Sequence, residues 1–208
     1  MKAVLINYNH DPQDWWLDYG LKATVFDRSD DGIKRTFTAD YIYETKNVGD
    51  VDHDKLSYLI DNYDSLPEVF LWAKSNLFKF VDKNYFNDVI SLGKFTPLLK
   101  FDHKTYSDQW GVVCRYSGNI YEERADSWFF NNPALSSKFS NWEEWTNYLA
   151  LPKTHFIPFA PGGNYILTRE RVHRYARDFY VKMRNTLPYA MHPAEAHACE
   201  RTYYLLWK

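Results

Sequence analysis

Cysteine is scarce in this chain: 208 residues hold only Cys114 and Cys199. Two thiols exclude a disulfide framework and a four-cysteine zinc site. They make a reducing, cytoplasmic setting the default expectation. Long apolar runs are missing too. The longest, Ala3-Val4-Leu5-Ile6 and Val69-Phe70-Leu71-Trp72-Ala73, are strand-length, far below the ~20 residues of a membrane span. The N-terminus turns polar at Asn7, which leaves no room for the apolar centre of a signal peptide. No G-x-G-x-x-G and no G-x-x-x-x-G-K-S/T occurs, so the simplest dinucleotide and P-loop readings fall away. G-x-S-x-G and H-E-x-x-H are absent as well.

Neither sign of charge dominates. The formal net charge is -2, too weak to imply an acidic or basic partner. Its distribution is uneven: residues 1–149 hold 16 Lys and Arg against 23 Asp and Glu, whereas residues 150–208 hold 9 against 4. A basic C-terminal quarter suits phosphates, although opposite faces of one solvated domain would give the same split.

What is plentiful is aromatic: 8 Trp, 17 Tyr and 14 Phe, 19% of the chain. Rings fill cores, and they also line clefts for flat-faced ligands such as sugars and bases. Apolar content of 45% and charged content of 25% argue against disorder. With no internal repeat, low-complexity tract or linker, one domain over residues 1–208 is expected.

Residues 3–8 read as a buried strand. Asp11-Pro12-Gln13-Asp14 reads as a helix start, with Trp15, Trp16 and Tyr19 on the helix. Residues 23–26 and, more weakly, 41–44 read as strands. Leu56, Leu59, Ile60 and Tyr63 have helical spacing, Ser65-Leu66-Pro67 ends that helix, and 68–73 is an apolar strand. This alternation favours an α/β sheet with parallel neighbours. Further on, helices are expected near 83–92 and over 141–149, the latter from a capping-box pattern at Ser140-Asn141-Trp142-Glu143. A strand at 164–167 leads into a long helix capped by Thr168 and ended by Leu187-Pro188. Pro193 opens a last helix.

Three polar segments fall at or near the carboxyl ends of predicted strands: Asn7-Tyr8-Asn9, Asn47-Val48-Gly49-Asp50 and Lys74-Ser75-Asn76. Open α/β sheets place ligands there. Pro161-Gly162-Gly163-Asn164 allows close approach to the backbone. It also reads as a plain turn. The tail from His192 to Arg201 concentrates ionisable groups, but His192 and His197 are not an i,i+4 metal pair. Glu195 falls in a first helical turn, where the helix dipole favours an anion. An ordinary capped helix with surface Glu and Arg accounts for these residues equally well.

The order of segments resembles nucleotide-sugar glycosyltransferases of the GT-A type. Val4-Leu5-Ile6-Asn7-Tyr8-Asn9 resembles their first strand. Asn47-Val48-Gly49, a helix, and then Val69-Phe70-Leu71-Trp72 resemble their N-x-G and central strand. More closely, the chain resembles a family of uncharacterised proteins (domain of unknown function 3431). The motifs are Asn47-Val48-Gly49, Tyr63-Asp64-Ser65-Leu66-Pro67, the run Phe159 to Glu170 containing Gly162-Gly163, and Glu195 with Glu200-Arg201-Thr202-Tyr203. The likeness is thin between about 77 and 155.

This resemblance implies a single-domain, GT-A-like, mostly parallel mixed sheet flanked by helices. Residues 1–76 would be the nucleotide-binding half and 77–208 the acceptor and catalytic half. The usual metal-binding D-x-D is replaced by Lys74-Ser75-Asn76, so the resemblance implies no required cofactor, with a divalent metal the alternative. Some branching N-acetylglucosaminyltransferases lack D-x-D, and their S-P-D-E is similar to His192-Pro193-Ala194-Glu195. By that likeness Glu195 is the catalytic base of an inverting transfer, with Asp126 and Glu200 as fallbacks and Asp102 or Asp126 as alternative metal ligands. Donor contacts fall to Asn7, Tyr8, Asn47, Gly49, Asp50, Lys74, Asn76 and Arg201, and acceptor contacts to Gly162, Gly163 and Asn164. The acceptor would be a saccharide, a protein or a modified base in DNA, with no membrane partner. Two alternatives stay open: a bacteriophage-type enzyme acting on a hydroxymethylated base, and a non-catalytic nucleotide- or sugar-binding module.

Overall fold

The computed structural model describes residues 1–98, 114–117, 120–124 and 128–208. Asp102 and Asp126 lie outside the described residues. The strands are β1 (Lys2–Asn7), β2 (Lys22–Asp27), β3 (Tyr41–Glu44), β4 (Val69–Lys74), β5 (Thr96–Pro97), β6 (Cys114–Ser117), β7 (Ile120–Arg124), β8 (Phe156–Phe159) and β9 (Tyr165–Thr168). The helices are α1 (Asp50–Asp61), α2 (Lys83–Val89), α3 (Trp142–Leu149), α4 (Arg169–Val172), α5 (Arg177–Arg184) and α6 (Ala194–Trp207).

Six strands form one sheet in the order β3-β2-β1-β4-β9-β5. The β3-β2, β2-β1 and β1-β4 pairs are parallel, and β9 runs antiparallel to both β4 and β5. The protein is thus mixed α/β with a mostly parallel sheet flanked by helices. A central parallel strand buries both faces and so reads as a continuous apolar run. Val4, Ile6, Phe70, Trp72, Tyr165 and Leu167 face a core shared with α1, α3, α5 and α6. Their neighbours Ala3, Leu5, Leu71, Ala73 and Ile166 face Trp15, Trp16 and Phe86 on the opposite side. A second, antiparallel sheet, β6-β7-β8, occupies the region where the sequence showed no regular pattern. Among the described residues, no helix is long and apolar enough to cross a membrane.

Three expected elements differ. The helix expected from Asp11 is only a 3-10 turn over Trp15–Tyr19. The Asp14 carboxylate accepts from the Thr38 backbone N–H and hydroxyl instead of capping, and Asp14 itself is left-handed at φ 44°. The tight turn lets two successive indoles, Trp15 and Trp16, both enter the core. The capping box is shifted by one residue: Asn141 accepts from the Glu144 N–H, and the Glu144 carboxylate accepts from the Ser140 N–H. The long helix after Thr168 is broken into α4 and α5. Tyr180 donates to the Val172 carbonyl and Tyr63 to the Tyr175 carbonyl. These hydroxyls satisfy backbone groups that a continuous helix would have used itself.

Candidate functional site

In this strand order the chain runs from β1 to β2 on one side, then crosses to β4 on the other. A crevice opens at such a switch point, outside the carboxyl ends of the strands. Here it is a cavity of about 260 Å³, with Tyr8, Arg28, Asn47, Asp50, Lys74, Asn76, Lys79 and His192 on its walls. The loops after β1, β2, β3 and β4 each contribute, and the segment before α6 supplies His192.

Asn7 braces the crevice from behind. Its side chain is buried, donates to Asp27 (3.1 Å) and accepts from the Ser75 hydroxyl (2.6 Å), which joins the ends of β1, β2 and β4. Gly49 precedes α1 at φ 69°, and a Cβ there would meet the Cβ atoms of His53 and Leu187 at 2.8 Å. Only glycine combines that dihedral with that closeness. The Gly49 and Asp50 N–H groups donate to the carbonyls of Ala190 and Met191. This seats the 190–192 segment on the start of α1.

Asp50 and His192 then meet, Oδ2 to Nδ1, at 3.5 Å. Burial alone would raise the Asp50 carboxyl. The His192 hydrogen bond, Lys74, the Val51 N–H and Arg28 outweigh it and hold the group well below the usual carboxylate range. The Asp50 bond raises His192 above its ordinary 6.5. His10, which also lines the crevice, moves the other way. Burial, then Lys79, Arg35 and Lys74, lower it.

Arg28 is buried. Its Nη2 and Nε donate to Asn47 Oδ1 at 2.8 and 3.2 Å, and Nη1 lies 3.7 Å from Asp54 without a hydrogen-bond partner among the described residues. Lys74 projects over the Phe80 ring at 4.8 Å. The arrangement can hold a dianionic or trianionic group beside flat rings.

The remaining expected site residues take other positions. Asn164 is buried and accepts from the Lys74 N–H at 2.9 Å, so it fixes the end of β4. The Gly162 and Gly163 carbonyls accept from Lys55, and the Gly162 N–H donates to Glu200. Burial pushes the Lys55 ammonium down and its neighbour Asp52 up. Arg201 is buried under the second sheet. It donates to Glu123 at 2.6 and 3.1 Å and lies 4.4 Å over the Phe159 ring, away from the crevice walls. Glu195 is fully buried, and its two oxygens accept from the Lys138 N–H (2.6 Å) and the Tyr189 hydroxyl (2.5 Å).

The structure therefore brings together Tyr8, Asn47, Asp50, Lys74 and Asn76, with Asn7, Gly49 and Asn164 as their supports. It does not bring Glu195 or Arg201 to the same walls. Sequence reasoning missed Arg28, Lys79 and His10. Arg28 lies two residues past the predicted strand 23–26, but Asp27-Arg28-Ser29 reads as an ordinary turn until β2 is placed next to β1.

Among the described residues, no group of three or more His, Cys, Asp or Glu converges as a metal would need. The crevice walls offer one carboxylate among several cations, a donor set that does not suit a divalent ion. No protein-family model, no curated protein and no solved structure matches this chain.

Proposed function

We propose that the chain is a GT-A-like glycosyltransferase that moves a sugar from a nucleotide-sugar donor to an acceptor hydroxyl by inverting displacement. The observation that carries this reading is the crevice at the β1–β4 switch point, where Arg28, Lys74 and Lys79 surround a single carboxylate. Three cations suit a diphosphate, and Tyr8, His10 and Phe80 offer flat walls to a base. The resemblance of Asn47-Val48-Gly49 and of the opening strand to nucleotide-sugar enzymes supports the same assignment.

In the transfer, the acceptor oxygen attacks the anomeric carbon as the bond to the diphosphate oxygen breaks. The hydroxyl proton passes to a base, and the cations neutralise the departing diphosphate. The base is the His192 imidazole, held by Asp50, because this pair faces the crevice. Glu195 is a positioning residue that anchors the segment carrying His192. The lysine and arginine side chains do the work of a divalent ion, so activity should persist in EDTA.

Calorimetry and turnover with a panel of nucleotide sugars test the reading. A nucleoside diphosphate should bind, and Lys74→Met should weaken it about tenfold or more, the scale of one lost charge-assisted hydrogen bond. Binding without turnover across the panel would identify a non-catalytic module. Failure of every nucleotide to bind would overturn the assignment.

A further inference from the structure

A second cavity lies beside the crevice and exceeds it in volume. A groove of about 1030 Å³ runs between the β2–β3 edge of the sheet and α1. Arg28 separates the two spaces: it lines the crevice, while its partner Asp54 lines the groove.

The groove floor is aromatic. Phe26 and Tyr43 stack at 5.1 Å with an interplanar angle of 26°, and Tyr58 meets Phe26 edge-on. Tyr41 stands two residues from Tyr43, about 7 Å along the same face of the strand. Tyr41 and Tyr43 are 57% and 49% exposed, high values for large rings side by side on one strand. β3 ends the sheet on this side, and the Lys2 ammonium reaches over the Tyr41 ring at 5.2 Å.

The walls are polar and more acidic than basic. Glu44, Asp54 and Asp61 stand against Lys2 and Lys46. Thr24 is only 2% exposed and lines the groove, and its hydroxyl has no hydrogen-bond partner among the described residues. A buried hydroxyl left unpaired is costly, and a ligand hydroxyl would relieve that cost.

We infer that this groove binds a neutral pyranose saccharide. A pyranose has one apolar C–H face to lie on a tyrosine ring and a rim of hydroxyls that donate to carboxylates. The walls carry no surplus of cations to neutralise a phosphate-bearing chain, which sets a nucleic acid aside. The groove is independent of what fills the crevice.

The experiment is ligand-observed NMR, followed by calorimetry, on the full chain with neutral di- to tetrasaccharides of gluco, galacto and manno configuration. Single-stranded DNA and UDP are the comparison ligands. At least one saccharide should bind. Tyr43→Ala and Tyr41→Ala should each weaken it about tenfold, the worth of one lost ring contact, whereas Tyr43→Phe keeps the affinity. UDP affinity should be unchanged in all three variants, so this inference and the nucleotide assignment fail separately. Melting curves of these surface variants verify that the fold is kept. The inference is overturned if no saccharide binds, if the alanine variants bind as well as the parent, or if DNA occupies the groove instead. It is also overturned if sedimentation shows that a second copy pairs with β3 and that Tyr43→Ala separates the two.

Discussion

Asp50 sits at φ 52°, in the left-handed region that costs an L-residue of order 1–3 kcal/mol. Its carboxylate accepts from the adjacent Val51 N–H at 2.6 Å and reaches His192. Strain at a residue that faces a crevice is typical of a working site. The pair sets a pH dependence. Asp50 raises His192 above its ordinary 6.5, so the imidazole becomes a free base only above that value. Activity should therefore rise with pH through an inflection above 6.5. Asp50→Asn removes the raising partner, and the inflection should move to lower pH. A pH profile of kcat/KM for both proteins measures this, and an unmoved inflection would remove His192 from the reaction. The same bond contributes stability below about 6.5 and loses it as the pH rises through the folded value. On the acid side it is lost as Asp50 protonates, below its ordinary 3.8.

At the scale of elements, the 188–195 segment is what brings a C-terminal histidine to an N-terminal helix. It is tied by the Gly49 and Asp50 N–H bonds, by the Ala194 N–H to the Ser136 carbonyl, and by Glu195 to Lys138 and Tyr189. Glu195→Ala removes the acceptor of the Lys138 N–H and one of the two acceptors of the part-buried Tyr189 hydroxyl, and should lower stability by about 1–3 kcal/mol, read from the urea midpoint. Turnover should fall with it, because His192 loses its seat. Glu195→Gln keeps the shape and one acceptor, so it should restore most of both. Were Glu195 the base, Gln would instead lose about 10²–10⁴ in turnover at unchanged stability. The elements themselves were unevenly legible. β1 and β4 stand out in sequence as apolar runs, α1 by the spacing of Leu56, Leu59 and Ile60, and α6 by Pro193 at its start. The 3-10 turn at Trp15 and the break after Val172 do not, since distant partners (Thr38, Tyr63 and Tyr180) take over the local hydrogen bonds.

For the whole molecule, the core on the α1–α6 side turns on Trp72. The ring is fully buried, 4.7 Å from Tyr203 and 4.8 Å from Trp207, with Lys55 5.2 Å above it. Trp72→Ala should cost about 3–5 kcal/mol, a large part of the ~5–15 kcal/mol of an ordinary domain. Thermal unfolding measures the loss. A nucleoside diphosphate at about 100 times its Kd should return about 2.7 kcal/mol of it, since it binds only the folded chain. Rescue by nucleotide in this variant would link the crevice to the fold it sits on.

Sequence alone determined the α/β class, five of the six strands of the main sheet (β5 was not foreseen) and three polar segments at their carboxyl ends. Local apolar runs and turn residues encode those features without reference to distant contacts. It also supplied Lys74 and Asp50 as candidates, because each directly follows or precedes an element. Only the tertiary structure decided which ionisable groups meet. Lys79, Arg28 and His192 come from three separate stretches of chain and share a crevice because β1 lies between β2 and β4. Glu195 and Arg201 looked equally available in the tail, yet α6 turns both inward, to Tyr189 and Lys138 in one case and Glu123 in the other. A helix face is chosen by what packs on it, and Lys138 and Glu123 lie 57 and 78 residues away.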